Sequence, residues 1–163
     1  MIRMTRMTDY SIVLMTYCAR HLDRPIHTTR DLAAEAHLPL PTVGKILKLL
    51  ARNGLMQSHR GVKGGYALAR RPDQITIAEV IVALEGPIAI TDCSGELTHR
   101  CELECTCPVG GNWQLINEAV RRALGELTLA DIAKPLPKTL ISVYGAGAGA
   151  VLPMLPEQKG IPT

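Results

Sequence analysis

The stretch Thr28-Thr-Arg-Asp-Leu-Ala-Ala-Glu-Ala-His-Leu-Pro-Leu-Pro-Thr-Val-Gly-Lys-Ile-Leu-Lys-Leu-Leu-Ala-Arg-Asn53 decides the fold. Thr28 and Thr29 carry hydroxyls that can cap a short helix, Arg30–Ala36, with Leu32, Ala33 and Ala36 turned inward. His37-Leu38-Pro39-Leu40 is too short and too proline-broken for helix and reads as a turn. Pro41 suits the first position of a second helix, where its missing N–H is not needed. That helix runs to Asn53, and Gly54 is a natural residue to end it. Helix, short turn, helix is the helix-turn-helix pattern.

The second helix divides into two faces. Val43, Ile46, Leu47 and Leu50 form an aliphatic back, and Pro41, Lys45, Lys48 and Arg52 form the opposite stripe. An aliphatic back and a basic front are what a helix needs to enter the major groove of DNA. Thr42 lies near the N-terminus of that helix, where it can reach a base edge, and Thr28 opens the first helix of the pair. Thr28, Pro41, Thr42, Lys45, Lys48 and Arg52 are the DNA-facing candidates here.

Working outward, Leu55–His59 and Tyr66–Ala69 are strand candidates joined by Arg60-Gly61-Val62-Lys63-Gly64-Gly65. Glycines at such a tip are expected to supply positive φ angles. Arg60 and Lys63 make the hairpin a wing that reaches toward the DNA backbone or minor groove. Upstream, Thr8 is placed to cap a helix running to about His21, with Tyr10, Leu14, Tyr17, Cys18 and His21 along one face. Downstream, Ile77, Val80, Ile81 and Leu84 mark a helix that Gly86 closes. Residues 1–86 therefore read as a mainly α, winged helix-turn-helix domain with a three-helix core.

Charge supports a polyanion partner. The chain of 163 residues has a net charge of +3. No acid occurs between Glu35 and Asp73, while Lys45, Lys48, Arg52, Arg60, Lys63, Arg70 and Arg71 all fall in that window. A solvated face would normally mix both signs.

Residues 87–107 lose periodicity and hold Cys93, Cys101, Cys105 and Cys107, four of the five cysteines. No apolar run approaches a membrane span and no signal peptide is recognisable, so a reducing, cytoplasmic address is expected. Clustered thiols there point to metal or redox chemistry and away from structural disulfides. Structural zinc prefers two knuckles of C-x2–4-C type. Cys101 and Cys105 fit one, but Cys105 and Cys107 are too close for a second. Plain reduced thiols remain the other reading. Cys18 lies on the core-facing side of the first helix and reads as a small buried hydrophobe.

From Pro108 a long helix resumes, with Trp113, Ile116, Val120, Ala123, Leu124 and Leu127 as its apolar stripe. A second copy of the chain is the simplest cover, so residues 108–134 read as a dimerisation helix with Trp113, Ile116, Val120 and Leu124 at the interface. Leu129–Ala133 adds a further turn, and residues 135–163, rich in proline and glycine, read as a flexible tail. There is no nucleophile elbow, HExxH motif or pair of carboxylates in an apolar frame. Neither an enzyme nor a small-molecule substrate is expected.

The string Arg60-Gly61-Val62-Lys63-Gly64-Gly65-Tyr66-Ala67-Leu68-Ala69-Arg70 resembles the wing of the BadM/Rrf family of bacterial winged-helix regulators, as does Met7-Thr8-Asp9-Tyr10 in the first helix. The likeness covers about residues 1–133. Cys101 to Cys107 followed by Pro-Val-Gly-Gly-Asn-Trp113 is similar to the members that carry iron–sulfur clusters, closest to the regulators of Suf-type cluster assembly and related to the Isc regulators and the nitric-oxide sensors. The resemblance implies a homodimer that binds a palindromic operator, as a repressor of cluster-assembly genes, and senses iron–sulfur, redox or nitric-oxide status. It assigns Cys93, Cys101 and Cys107 as ligands of an iron–sulfur cluster, 2Fe–2S favoured and 4Fe–4S the other form, with Asp9 of the other subunit or Cys105 as the fourth ligand. The alternative is a cofactor-free regulator acting through thiol–disulfide exchange.

Overall fold

A computed structural model of the chain describes residues 4–61, 64–91 and 107–135. Lys63, Cys93, Cys101, Cys105 and the expected tail beyond Pro135 lie outside the described residues.

Helix α1 spans Arg6–Arg20 and ends at His21, as its pattern predicts. Its start differs from the expectation. Thr5, not Thr8, is the N-cap, and the Thr5 hydroxyl accepts from the Thr8 N–H at 3.3 Å. Thr8 is fully buried, and its hydroxyl donates to Glu85 at 2.5 Å. The same carboxylate oxygen accepts the Thr5 N–H at 2.8 Å. Helix α1 extends back to Arg6 because Thr5 can satisfy an orphan N–H while Glu85 satisfies the buried hydroxyl. These two donors hold the Glu85 carboxyl below its ordinary range.

Helix α2 (Thr29–Glu35) is capped by Thr28, whose hydroxyl accepts from the Asp31 N–H at 3.1 Å. The turn that follows passes through His37, which takes a positive φ of 52°. Helix α3 (Leu40–Arg52) begins one residue before the expected Pro41, with Pro39 as its cap and no side-chain cap bond. Pro41 still falls in the first turn, where no N–H is required. Gly54 follows with φ 70°, which lets the chain leave the helix cheaply. Strands β1 (Met56–His59) and β2 (Gly65–Leu68) pair antiparallel, with Met56 opposite Leu68 and His59 opposite Gly65. A 3-10 turn at Pro72–Gln74 leads to α4 (Ile77–Glu85), which starts on a reciprocal Thr76–Glu79 capping box and ends at Gly86 with φ 90°. Helices α5 (Gly110–Glu126) and α6 (Leu129–Ala133) complete the described chain. The fold is mainly helical with one two-stranded hairpin, as the sequence pattern predicts.

The core is aliphatic. Leu14, Met15, Leu32, Val43, Ile46, Leu47, Leu50, Ile75 and Val80 are all fully buried. One further core residue comes from outside residues 1–86. Leu129, from the segment expected to serve dimerisation, is fully buried in the same cluster. It arrives there through backbone pairing. Thr76 and Thr128 form an antiparallel bridge, the Ile77 N–H donates to Leu127 O at 2.9 Å, and the Leu129 N–H donates to Ile75 O at 2.8 Å. The winged helix is thus closed by chain from both sides of the cysteine segment. Among the described residues no helix is long and apolar enough to cross a membrane. Leu129→Ala is expected to cost about 2–5 kcal/mol in urea unfolding, the range for a leucine truncated in a packed core. A loss under about 0.5 kcal/mol, the scale of a surface change, would place α6 outside the folding unit.

Candidate nucleic-acid interface and cysteine centre

Helix α3 is split as its pattern predicts. Val43, Ile46, Leu47 and Leu50 are fully buried, Pro41, Lys45, Lys48 and Arg52 are exposed, and Thr42 is half-buried. The basic window of the sequence is divided by the fold. Arg70 is engaged by Glu79 at 2.9 Å, and Arg71 grips Asp73 with two hydrogen bonds of 2.9 and 3.1 Å. Lys45, Lys48, Arg52 and Arg60 form no ion pair among the described residues. Of the described cations in this window, those left without an acid are on the front of α3 and on the hairpin.

Backbone pairing positions the hairpin against the helix pair. The His27 N–H donates to Tyr66 O at 2.9 Å, and the Tyr66 N–H returns a bond to His27 O at 2.8 Å. Thr28 follows directly, so the cap of α2 and the base of β2 are joined. Thr28, Arg30, Leu40, Arg60 and Tyr66 line the cleft between them. The Thr28 hydroxyl is occupied as a cap acceptor and keeps its own proton for another partner.

The glycines of the hairpin follow the expectation at Gly61 and depart from it at Gly64 and Gly65. Only Gly61, with φ 111°, takes a positive φ among the described tip residues. Gly64 and Gly65 are required by space. A Cβ on Gly64 would stand 2.5 Å from His59 O, and one on Gly65 would run into His27 O. The close approach of β2 to the residue before α2 leaves room for hydrogen only.

His27 was not singled out by the sequence. Its ring is 2% exposed, its Nε2 has no partner among the described residues, and it packs edge-on to Tyr17 at 5.5 Å between ring centroids. Burial pushes the imidazole below its ordinary range, with the nearby Arg24 guanidinium adding to the shift. The ring sits in the joint between wing and helix pair.

Of the expected cluster ligands, the described residues include Asp9 and Cys107. Asp9 is exposed in the first turn of α1. Cys107 is half-buried, forms no disulfide and stands just before the start of α5. No group of three or more His, Cys, Asp or Glu that could hold a metal ion occurs among the described residues. Cys18 is buried at 2% exposure, and burial pushes its thiol up to about 12, which leaves it unreactive at neutral pH. On α5, Trp113, Val120 and Leu124 are half-buried, while Ile116 and Leu115 are exposed. Val120 and Leu124 line a cleft with Ile81 and Ile88 of the same chain. The buried side chain of α5 is Asn117, which the apolar-stripe reading passed over. Its signal was available as an amide placed in mid-helix, where such residues are unfavourable.

Relatives fit this geometry. Residues 4–135 match the Rrf2 family, described as iron-dependent transcriptional regulators. A helix-turn-helix-type transcriptional regulator of Mycobacterium tuberculosis is 34% identical over 133 residues, covering 80% of this chain and 81% of that protein. The regulator IscR of Xenorhabdus nematophila is 28% identical over 132 residues, covering 81% of this chain and 79% of its own. Among solved structures, CymR, the global cysteine regulator of B. subtilis, superposes with a TM-score of 0.64 at 27% identity, covering 82% of this chain and 97% of CymR.

The unpaired basic front gives a direct test. A Lys45→Ala/Lys48→Ala double variant is expected to lose roughly 1–3 kcal/mol of DNA affinity for each base contact removed, and to lower the salt slope by about one for each phosphate contact removed. Titration of the selected operator at several salt concentrations measures both. Unchanged affinity together with an unchanged slope would remove α3 as the DNA-reading helix. With its winged helix-turn-helix fold, its exposed basic helix and a family match over residues 4–135, the chain belongs to the Rrf2 family of transcriptional regulators.

Proposed function

We propose that this protein is a homodimeric regulator that binds a palindromic operator and changes its grip on DNA with the state of an iron–sulfur cluster. The observation that carries the DNA half is the row of exposed, unpaired cations on α3 and the hairpin. Lys45, Lys48 and Thr42 would read or anchor on the major groove, and Arg60 and Lys63 would meet the backbone or minor groove. Within the family, the reading is a repressor of iron–sulfur assembly genes of the Suf type.

The cysteine half rests on the donor set. Cys93, Cys101 and Cys107 offer three thiols, and Asp9 of the partner subunit or Cys105 offers a fourth donor. Cys107 is free and half-buried, three residues before α5, which is compatible with a ligand role. Thiolates with one further donor suit an iron–sulfur cluster, 2Fe–2S favoured. Such a group supplies a redox- and nitrosyl-sensitive crosslink between chain segments. The chain's own part is to hold the thiols between α4 and α5, with α4 tied to the start of α1 through Glu85.

A cofactor-free thiol switch is the second reading. It is favoured by the likeness to CymR, whose described role is cysteine regulation, and by Cys105 as a thiol beyond the three assigned. Anaerobic purification with iron and sulfide quantitation separates the two. Cys93→Ala, Cys101→Ala and Cys107→Ala are each expected to lose the visible absorption and alter operator affinity, while Cys18→Ala does neither. Full colour in Cys105→Ala beside loss of colour in Asp9→Ala would assign the fourth ligand to Asp9. A Cys101→Ala protein with wild-type iron, sulfide and operator response would end the cluster reading.

The dimer is proposed to form along α5. Leu115 is 72% exposed and Ile116 is 46% exposed, so charges placed there cost a monomer little. Leu115→Glu/Ile116→Glu is expected to sediment as a monomer with an unchanged helix content, because pairing would bury the new charges. A dimer that persists would put the interface on another face.

A further inference from the structure

Asn117 is buried at 4% exposure on a helix whose other described side chains are half-buried or exposed. Its carboxamide is used on both sides. The Ile90 N–H donates to Asn117 Oδ1 at 3.1 Å, and Asn117 Nδ2 donates to Ile88 O at 3.2 Å. One side chain thereby takes the place of a strand partner for residues 88–90. Those residues lead directly into the segment that carries Cys93, and Cys107 on the far side of that segment leads into the same helix. The stretch entering the segment is also fixed behind. Glu85, next to Gly86, holds the Thr5 N–H and the Thr8 hydroxyl at the start of α1.

We propose that Asn117 is a positioning residue that fixes the incoming end of the cysteine segment on α5, so that a change of state at the cysteines is delivered to α5 as well as to the winged helix. This rests on the reading of the cysteines as the switch. The physical case is one of chemistry and cost. An asparagine in mid-helix gives up helix propensity, and its amide must be paired when buried. An apolar residue at this position would pack as well on Ile88 and leave two backbone groups unpaired. A planar carboxamide offers a donor and an acceptor side by side, which suits an N–H and a C=O two residues apart on one stretch of chain.

The test uses the full-length protein and two variants, Asn117→Ala and Asn117→Asp. Alanine is the better helix former, so α5 is retained. Aspartate keeps an acceptor for the Ile90 N–H and loses the donor to Ile88. The first measurement is amide exchange at Ile90 without any cofactor. Wild type is expected to be protected, Asn117→Ala to exchange at least about tenfold faster, and Asn117→Asp to fall between, a factor of ten being about 1.4 kcal/mol of local opening. An unprotected Ile90 amide in wild type, or equal exchange in all three, would overturn the clamp. The second measurement is the ratio of operator affinities between the two states of the cysteines, cluster-loaded against cluster-free, or reduced against oxidised where no iron is found. Asn117→Ala is expected to keep the affinity of the cluster-free or reduced form and to bring the ratio at least threefold closer to one. A variant that keeps the wild-type ratio after losing protection at Ile90 would overturn the coupling and leave the switch standing. A wild-type ratio of one would overturn the switch itself, with the exchange result unaffected.

Discussion

The return of the chain after α5 is the constraint on which the arrangement depends. Two backbone hydrogen bonds, Ile77 to Leu127 and Leu129 to Ile75, lock residues 127–129 beside the start of α4. Leu129 then enters the core alongside Leu14, Ile75 and Val80. The C-terminal end of the α5 region is in this way fixed to the DNA-reading unit. The cysteine segment leaves from the end of α4 and comes back at the start of α5. A displacement of α5 therefore cannot be absorbed in a slack tether at its far end, since paired backbone at that end resists opening.

Charge and sterics then assign the rest. Seven basic residues fall in a window without acids, but the fold brings Glu79 and Asp73 onto Arg70 and Arg71. Exposed pairs of this kind contribute little to stability. Their consequence is to remove two cations from the pool that a polyanion can meet. The wing is set by the opposite kind of economy. Gly64 and Gly65 carry no side chain because carbonyl oxygens of His59 and His27 occupy the space. The mutual bonds between His27 and Tyr66 then make the hairpin an extension of the helix pair.

The elements most legible in the sequence were those with a period. The two faces of α3, the Gly54 exit and the capped ends of α2 and α4 follow from residue spacing and local chemistry. The start of α1 did not, because Thr5 and Thr8 are equally good caps locally and only Glu85, far along the chain, decides between them. Leu129 could be read as part of a helix but not as core, since burial there depends on a backbone pairing across about fifty residues. The glycines of the wing are located correctly, but the expected positive φ holds at Gly61 and not at Gly64 or Gly65. Positive φ is a local property, whereas the contact with His27 belongs to tertiary structure. Arg70 and Arg71 were counted with the basic face for the same cause, as neither Glu79 nor Asp73 announces its partner from sequence alone.

The apolar side chains of helix α5 divide into those covered by its own chain and those left exposed. Val120 and Leu124 face Ile81 and Ile88, and Asn117 holds the backbone beside them, so this edge binds the helix to its own chain. Leu115 and Ile116 stay exposed, Ile116 on the margin of that edge one turn before Val120, and Leu115 off it. An apolar stripe only partly covered by its own chain leaves surface for a second neighbour. Exposed apolar groups of this size on an otherwise polar surface are typical of a contact with another protein. The proposed dimer supplies that contact through the helix that also carries the clamp on the cysteine segment. A change at the cysteines and a change in the spacing of two recognition helices would then share one rigid element, with no longer path through the core required.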